Sequence, residues 1–521
     1  MKIPFYIVRC AIGLAFCSVL LSCSLDEDPR DQRSQESAYL NRDALVRNAV
    51  ATLYTHIGGT KDGEGLQGTC RGIYDLQTFG SDEAMVPTRG IDWYDGGRWQ
   101  ELYTHKWKSN NPFIYNAWAY LYNVIALCNR SVEILEQNRA LIGDLECITL
   151  TAEVRALRAI FYWQLLDLFG RVPIVTTTDV DIVHMRQSSR LEVFNFVERE
   201  LVYAYTHLPY GESAHIGDHY GRVTADVVCF VLAKLMLNAE VYSGTPRWQD
   251  CINYCNQLEE MGYSLASNYQ ANFDVHNENS PENIWVIPMN KTLYTNQQQN
   301  IIRSLHYRHA ALYAYKGENG ACATLKTLQV FNYNTNDEDW RFHINYWGDY
   351  VNIGGGEMLK DKTGAPFRYW PEQVQLDLSG SPYVETAGAR MSKYTPDLDA
   401  MNDGKLIEND IVLFRYADVL LMRAEAKLRS GQDGQSDFDL VRTRSYMSPR
   451  PITLQNLLDE RLLELCWEGW RRQDLIRFGQ YKSLYTGPGA VDESDGHTTV
   501  FPIPDQAMVT NPALTQNKGY K

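Results

Sequence analysis

Thr149-Leu150-Thr151-Ala152-Glu153-Val154-Arg155-Ala156-Leu157-Arg158-Ala159-Ile160-Phe161-Tyr162-Trp163-Gln164-Leu165-Leu166-Asp167-Leu168-Phe169 carries the architecture. Val154, Leu157, Ala159, Ile160, Trp163, Leu166 and Leu168 mark a broad apolar face, so the run predicts a long packed helix. Gly170 and Pro173 stop it. On either side, Leu45, Ala49, Leu53 and Ile57 repeat the stripe over 41–57, and further helices fit 112–137, 191–208, 225–243 and 249–261. They come as pairs of roughly 30 to 40 residues, and Ala152, Ala156, Ala159, Ala225, Ala233 and Ala239 allow close helix approach. The period predicts a mostly α fold, a tetratricopeptide-like helical repeat scaffold. Helices return at 412–429 and 454–470.

Two long irregular excursions interrupt the array. The first, 58–109, is punctuated by glycines and admits no helix longer than a few turns. The second, 272–410, is mixed, with short strand candidates at 283–288 and 341–346. Loops of this length within compact domains are usually functional, because a rigid scaffold can hold them while they vary. The chain therefore divides into a leader (1–22), a polar linker (23–40) and one large domain (41–521). That domain comprises 41–271 with the first excursion, the loop-rich 272–410, and C-terminal helices and tail over 411–521.

The leader settles the compartment. Lys2 and Arg9 precede an apolar run, Cys10 to Leu21, of the length a signal peptide needs and too short to span a bilayer. Leu20-Leu21-Ser22-Cys23 resembles the lipobox of bacterial lipoproteins, which predicts acylation of Cys23. Several acyl chains exceed what stable tethering requires. Asp26, Glu27 and Asp28 follow, and read either as a surface-export signal of some Gram-negative lipoproteins or as a solvated linker.

The chain has 521 residues, 45% hydrophobic and 22% charged, within the globular range. Without the leader it holds 47 basic against 64 acidic side chains, a formal charge of −17. Nucleic acid is excluded as a partner, since its recognition needs a basic footprint. Eight cysteines remain once Cys10, Cys17 and Cys23 are set aside, too sparse for a disulfide framework. Cys251 and Cys255 share a helix face, but no second pair completes a zinc site. Asn332, Asn334, Asn336, Asp337 and Asp339 match calcium-ligand spacing only loosely, lacking the turn glycine and terminal glutamate. No metal, cofactor or catalytic residue is assigned, and no nucleophile elbow, phosphate loop or His-Glu-x-x-His motif occurs.

Four blocks resemble the SusD/RagB family of outer-membrane nutrient-binding lipoproteins. They are Ala152 to Ala159 continuing through Phe161-Tyr162-Trp163 to Pro173; Arg415-Tyr416-Ala417-Asp418 to Ala426; Asp459-Glu460-Arg461-Leu462-Leu463-Glu464 with Glu468-Gly469-Trp470-Arg471-Arg472; and the tail from Ile503-Pro504 to Gly519-Tyr520. Cys466 departs from the more usual aromatic or apolar residue. The resemblance implies a helical scaffold that contacts a SusC-type TonB-dependent transporter, loops that present an aromatic platform to a glycan or a peptide, and no enzymatic activity. Read as residues alone, Arg415, Asp418, Arg423, Glu425, Glu460, Arg461, Glu464, Glu468 and Arg471 predict i, i+3 ion pairs at the edge of the core. A paired-carboxylate role for Glu464 and Glu468 lacks a facing cleft.

Flat rings suit the C–H face of a sugar, and nearby polar side chains bind its hydroxyls. In the first excursion Trp93, Tyr94 and Trp99, with Arg89, Asp92 and Arg98, are the candidate ligand residues. In the second they are Tyr307, Trp340, Tyr346 and Trp347. Trp107, Trp118, Trp163, Trp467 and Trp470 lie in helical patterns and predict core. The expected function is capture of an oligosaccharide at the outer membrane and its delivery to the transporter. The rivals are a peptide receptor on the same scaffold, and a glycoside hydrolase drawing on Asp82, Glu83, Asp92 or Asp95.

Overall fold

The computed structural model describes residues 41–210, 217–291, 299–399 and 407–521. Cys23, the leader and the linker lie outside the described residues. Arg42–Val46 is a short helix belonging to a separate N-terminal unit, and Arg47–Lys521 form one compact unit. Among the described residues no helix is long and apolar enough to cross a membrane.

The scaffold begins with Pro112–Gln137 (α1), Asp144–Phe169 (α2), Arg190–Tyr205 (α3), Ala225–Leu237 (α4) and Trp248–Glu260 (α5). Each packs on the next. Local chemistry sets their starts. Asn111 accepts from the Phe113 N–H ahead of Pro112 in the first turn of α1, and Ser189 and Glu192 close a capping box on α3. Helix α2 is buried at every residue from 156 to 169 and α4 throughout, so these two form the centre of the core. The array resumes after the second excursion with Tyr416–Arg429 (α6), Gln435–Arg444 (α7) and Leu454–Leu465 (α8). Helix α5 packs against α6, and α6 against α7 and α8, so one tetratricopeptide-like stack runs across the interruption.

A two-stranded antiparallel ribbon closes the neck of that interruption. Asn283–Ile287 (β1) pairs with Ile411–Arg415 (β2), Asn283 opposite Arg415 and Ile287 opposite Ile411, and every residue of both strands is buried. This corrects the helix expected over 412–429, whose first four residues are strand. The strand expected over 341–346 is also displaced. Phe342–Asn345 is a helical turn, and Tyr346–Trp347 pairs with Arg390–Met391. The helix expected over 454–470 stops at Leu465, and a new one starts at Arg471. Helix α7 was not foreseen; its Gln, Ser, Asp and Arg content gives little apolar stripe.

The charged residues of the C-terminal motifs do form ion pairs, but not the i, i+3 pairs at the core edge that their spacing predicted. They are buried and most join distant segments, Arg477–Asp474 being an i, i+3 exception within one helix. Arg415 binds Glu282 at 2.7 Å, Glu464 at 2.7 Å and Glu468 at 2.8 Å. Arg341 binds Asp339, Glu460 and Glu464. Arg461 meets Asp418 and Asp474, and Arg477 meets Glu425 and Asp474. Flanking arginines hold the Glu464 carboxyl, despite its burial, well below the usual carboxylate range. Glu464 and Glu468 are thus neutralised inside the protein by buried cations, and Glu468 lines a small cavity of about 40 Å³ beside Trp470. The eight described cysteines are all unpaired and buried, Cys251 and Cys255 among them.

Candidate ligand-binding site

The two excursions meet at an open cleft of about 460 Å³ lined by Arg71, Asp92, Trp93, Asp95, Tyr307, Lys316, Gly317 and Glu318. Arg71, Trp93 and Asp95 come from the first excursion, Tyr307 and Glu318 from the second. The half-buried Trp93 ring is fixed on three sides. Its Nε1 donates to the Glu318 carbonyl at 2.8 Å, its ring meets Trp99 at 65° with centroids 5.7 Å apart, and it lies against Gly320. A Cβ at Gly320 would fall 2.6 Å from the indole, so only glycine lets the ring seat there.

Three of the cleft residues adopt left-handed backbone: Arg71 at φ 62°, Trp93 at φ 60° and Asp95 at φ 42°. For residues with a Cβ, and for a tryptophan above all, this conformation costs on the order of 1–3 kcal/mol each and persists only where surrounding contacts enforce it. Those contacts are present. Arg71 donates to Asp62 and Asp95, and Asp95 also accepts from Trp99 Nε1 at 2.8 Å. Across the cleft, the Tyr307 hydroxyl donates to Asp92 at 3.1 Å. Burial, with the Asp92 charge beside it, pushes the Tyr307 phenol upward, so it stays protonated.

The expected residues fall into two groups. Trp93, Asp92 and Tyr307 line the cleft. Tyr94, next in chain, is 54% exposed at its rim, and Arg98 is half-buried and paired with Glu101. The others are placed elsewhere. Trp99 is 1% exposed and packs between Phe79, Trp93 and Phe113 as the wedge that holds the loop. Arg89 is buried, its guanidinium donating to the carbonyls of Gly320, Val384 and Ala387, so it ties the first excursion to the second instead of meeting ligand. Tyr346 is buried against Phe342 and Trp467. Trp347, its strand neighbour, faces the other way and lies edge-on to His309, outside the cleft lining. Trp340 donates to the Ser445 carbonyl and packs near Tyr446, beside α7 and away from the cleft. Trp107, Trp118, Trp163, Trp467 and Trp470 are buried.

Sequence reasoning missed Arg71 and residues 316–318 as cleft residues and named Asp95 only among the carboxylates considered for hydrolysis. Arg71 gave no signal, because its approach depends on the fold of the intervening segment. Of the carboxylates considered for hydrolysis, Asp82 is bound by Arg471 and Glu83 accepts from the Trp467 N–H, both buried. Asp92 and Asp95 remain at the cleft. Asp339, from the asparagine-rich run, is taken up by Arg341. Among the described residues no three His, Cys, Asp or Glu side chains converge as a metal site.

Two family models match in chain order: one described as the SusD family over residues 273–520, and one described as "Starch-binding associating with outer membrane" over 74–236. The starch-binding protein SusD of Bacteroides thetaiotaomicron is 25% identical over 426 residues, covering 73% of this chain and 74% of that protein. SusD-like protein P25 of Formosa agariphila is 24% identical, covering 95% and 96%. Among solved structures, a laminarin-binding SusD-like protein superposes with a TM-score of 0.70 at 20% identity over 92% of this chain and all of that one. A SusD homologue from B. thetaiotaomicron superposes at 0.72 and 20% identity, over 94% and 99%. With its helical stack, its two excursions and these matches along most of its length, the chain belongs to the SusD/RagB family.

Proposed function

We propose that this protein binds an oligosaccharide in the cleft between its two excursions and passes it to a SusC-type TonB-dependent transporter, while tethered to the outer membrane through lipid on Cys23. The observation that carries the reading is the strained, fully braced setting of Trp93, with Tyr307 and Asp92 opposite. A sugar ring stacks on the indole, and Asp92, Arg71 and the tyrosine hydroxyl bind its hydroxyl groups. Because the rings are held before ligand arrives, little ordering entropy is lost on binding. The starch-binding and laminarin-binding relatives support a glycan as the ligand class. The charge of the chain disfavours polyanionic nucleic acid, and no described contact forms a peptide-binding strand edge at the cleft.

Calorimetry of the full-length protein against a panel of oligosaccharides and peptides tests this. Trp93→Ala is expected to weaken binding of the recognised glycan about tenfold or more, the loss of a stacking platform. Peptide binding in place of glycans would overturn the ligand class, and product release from a polysaccharide by the pure protein would overturn the binding-only role. The anchor has its own test. Cys23→Ala is expected to shift the protein from the membrane fraction to the soluble one, since acyl chains supply the whole tether. An unchanged membrane fraction would remove lipid as the anchor.

A further inference from the structure

A second cleft, of about 340 Å³, is walled by Trp370, Tyr383, Tyr350, His306, Arg308 and Arg368. It has the two parts a saccharide site needs. Trp370 and Tyr383 form an aromatic corner, centroids 5.4 Å apart, and Trp370 is 36% exposed. Arg368 lies 4.3 Å above the Trp370 ring and 5.2 Å from Tyr350, its orientation fixed by Asp349 at 2.9 Å. His306 and Tyr307 are chain neighbours with rings 5.3 Å apart, so the second cleft adjoins the first.

The charge pattern distinguishes the two. The second cleft's carboxylates are already engaged: Asp361 accepts from the Thr363 hydroxyl and from the backbone of Thr363 and Ala365, and Glu385 stands 3.6 Å from both Lys362 and His306. Its donors are not. The Arg308 guanidinium is exposed with no ion-pair partner among the described residues. The buried Nε2 of His306 faces the Glu385 carboxylate at 3.6 Å, beyond hydrogen-bond length, and its Nδ1 accepts from the Arg308 N–H, which leaves the proton on Nε2. Behind this wall lie two further guanidiniums, Arg89 and Arg390, both buried and held by backbone carbonyls, Arg390 also by the Asn319 side chain, with no ion-pair carboxylate among the described residues. Buried cations left without a counter-ion project their field into neighbouring space. Burial, then Arg390, pushes the His306 imidazole down to about 4.

We propose that the second cleft is a subsite for an anionic sugar residue, one bearing a carboxylate or a sulfate, stacked on Trp370 with its charged group at Arg308. An exposed guanidinium without a counter-ion beside exposed rings suits a ligand that brings acceptors and negative charge. The inference rests on the glycan-binding reading and deepens it: the bound oligosaccharide runs over Tyr307 and carries acid groups on one side.

The test is calorimetry of the full-length wild type, Arg308→Ala, Trp370→Ala and Trp93→Ala against an oligogalacturonate, a sulfated galactan oligosaccharide, and neutral malto- and laminari-oligosaccharides of equal length. Arg308 and Trp370 are on the surface, so the fold should survive either change. Expected is binding of an acidic oligosaccharide that weakens about tenfold in Arg308→Ala and in Trp370→Ala and declines with added salt; the two acidic probes separate carboxylate from sulfate. Acidic ligand bound equally by wild type and both variants overturns the subsite. So does binding of neutral sugars alone, lost only in Trp93→Ala, which leaves the glycan-binding reading standing. No glycan bound by the wild type overturns both.

Discussion

Arg415→Met is expected to destabilise the protein by roughly 3–5 kcal/mol, the cost of removing one member of a buried charge network. The arginine is fully buried and gives five hydrogen bonds, to Glu282, to both carboxylate oxygens of Glu468, and to the carboxylate and carbonyl of Glu464. Methionine matches the stem in volume but leaves three carboxylates with fewer cations. Arg444 still reaches Glu282 and Glu464, Arg341 reaches Glu464, and Lys393 reaches Glu468, so the cost stays below that of three isolated charges. Arg415→Lys should fall between, since an ammonium cannot reproduce the forked geometry. Urea unfolding at neutral pH measures the loss, and a change under 1 kcal/mol would show the network to be dispensable.

The position of Arg415 explains why the effect is large. It ends β2, opposite Asn283 of β1, and immediately precedes α6. Glu282 adjoins β1, while Glu464 and Glu468 belong to the end of α8 and the turn after it. One side chain therefore joins the neck of the second excursion to two parts of the scaffold. The same motif is what made the family legible in the sequence. Its residues stand out because a buried ion cluster admits few substitutes, even though the partners cannot be read from spacing.

How much else was legible follows from whether the information is local. Helices α1 to α5 were each recovered, because each carries its own apolar face. Helix α2 nevertheless starts at Asp144, ahead of the expected Thr149, and α4 stops at Leu237, a separate helix Ala239–Ser243 taking the end of the expected 225–243. Helix α7 was not, because its burial comes from packing on α6 and not from its own stripe. Trp93 and Trp99 looked alike in a glycine-flanked loop. Trp99 opens the short helix Arg98–Thr104, where Leu102 follows at i+3 and is likewise buried, and that spacing was the available sign that Trp99 is core. Arg89 could not be placed at all, since the carbonyls it binds come from Gly320, Val384 and Ala387 far along the chain. Tyr346 and Trp347 needed only the knowledge that they are strand: successive side chains then face opposite ways, one buried and one partly exposed. The second cleft lay within the excursion whose aromatics were noted, but its pairing of Trp370 with Arg368 and Arg308 is tertiary.

Glu83→Gln is expected to gain stability relative to wild type as pH rises, the difference growing by about 3 kcal/mol between pH 4 and pH 8 at 1.4 kcal/mol per pKa unit. Burial pushes the Glu83 carboxyl up to about 7, against the opposing pull of the Trp467 N–H, Lys393 and Arg471, with Asp82 adding to the rise. One of its oxygens has no hydrogen-bond partner, as suits a protonated acid. Its folded pKa lies above the unfolded value of about 4.3, so the folded state holds the extra proton between those limits. Stability from this group is complete below the unfolded pKa and is lost as pH climbs to 7. Asp410, pushed up by burial to about 6, contributes a slope of the same sign. The wild-type curve conceals both. Burial holds His306 and His309 down at about 4 and about 3, so the unfolded chain takes up their protons below pH 6.5 and the slope there has the opposite sign. Only the difference between variant and wild type isolates Glu83, because glutamine keeps the shape and the acceptor for Trp467 while removing the titration. Paired urea titrations at unit pH steps measure it. A difference that stays constant from pH 4 to pH 8 would mean Glu83 titrates at its ordinary value, with its charge compensated by Lys393 and Arg471 across the whole range.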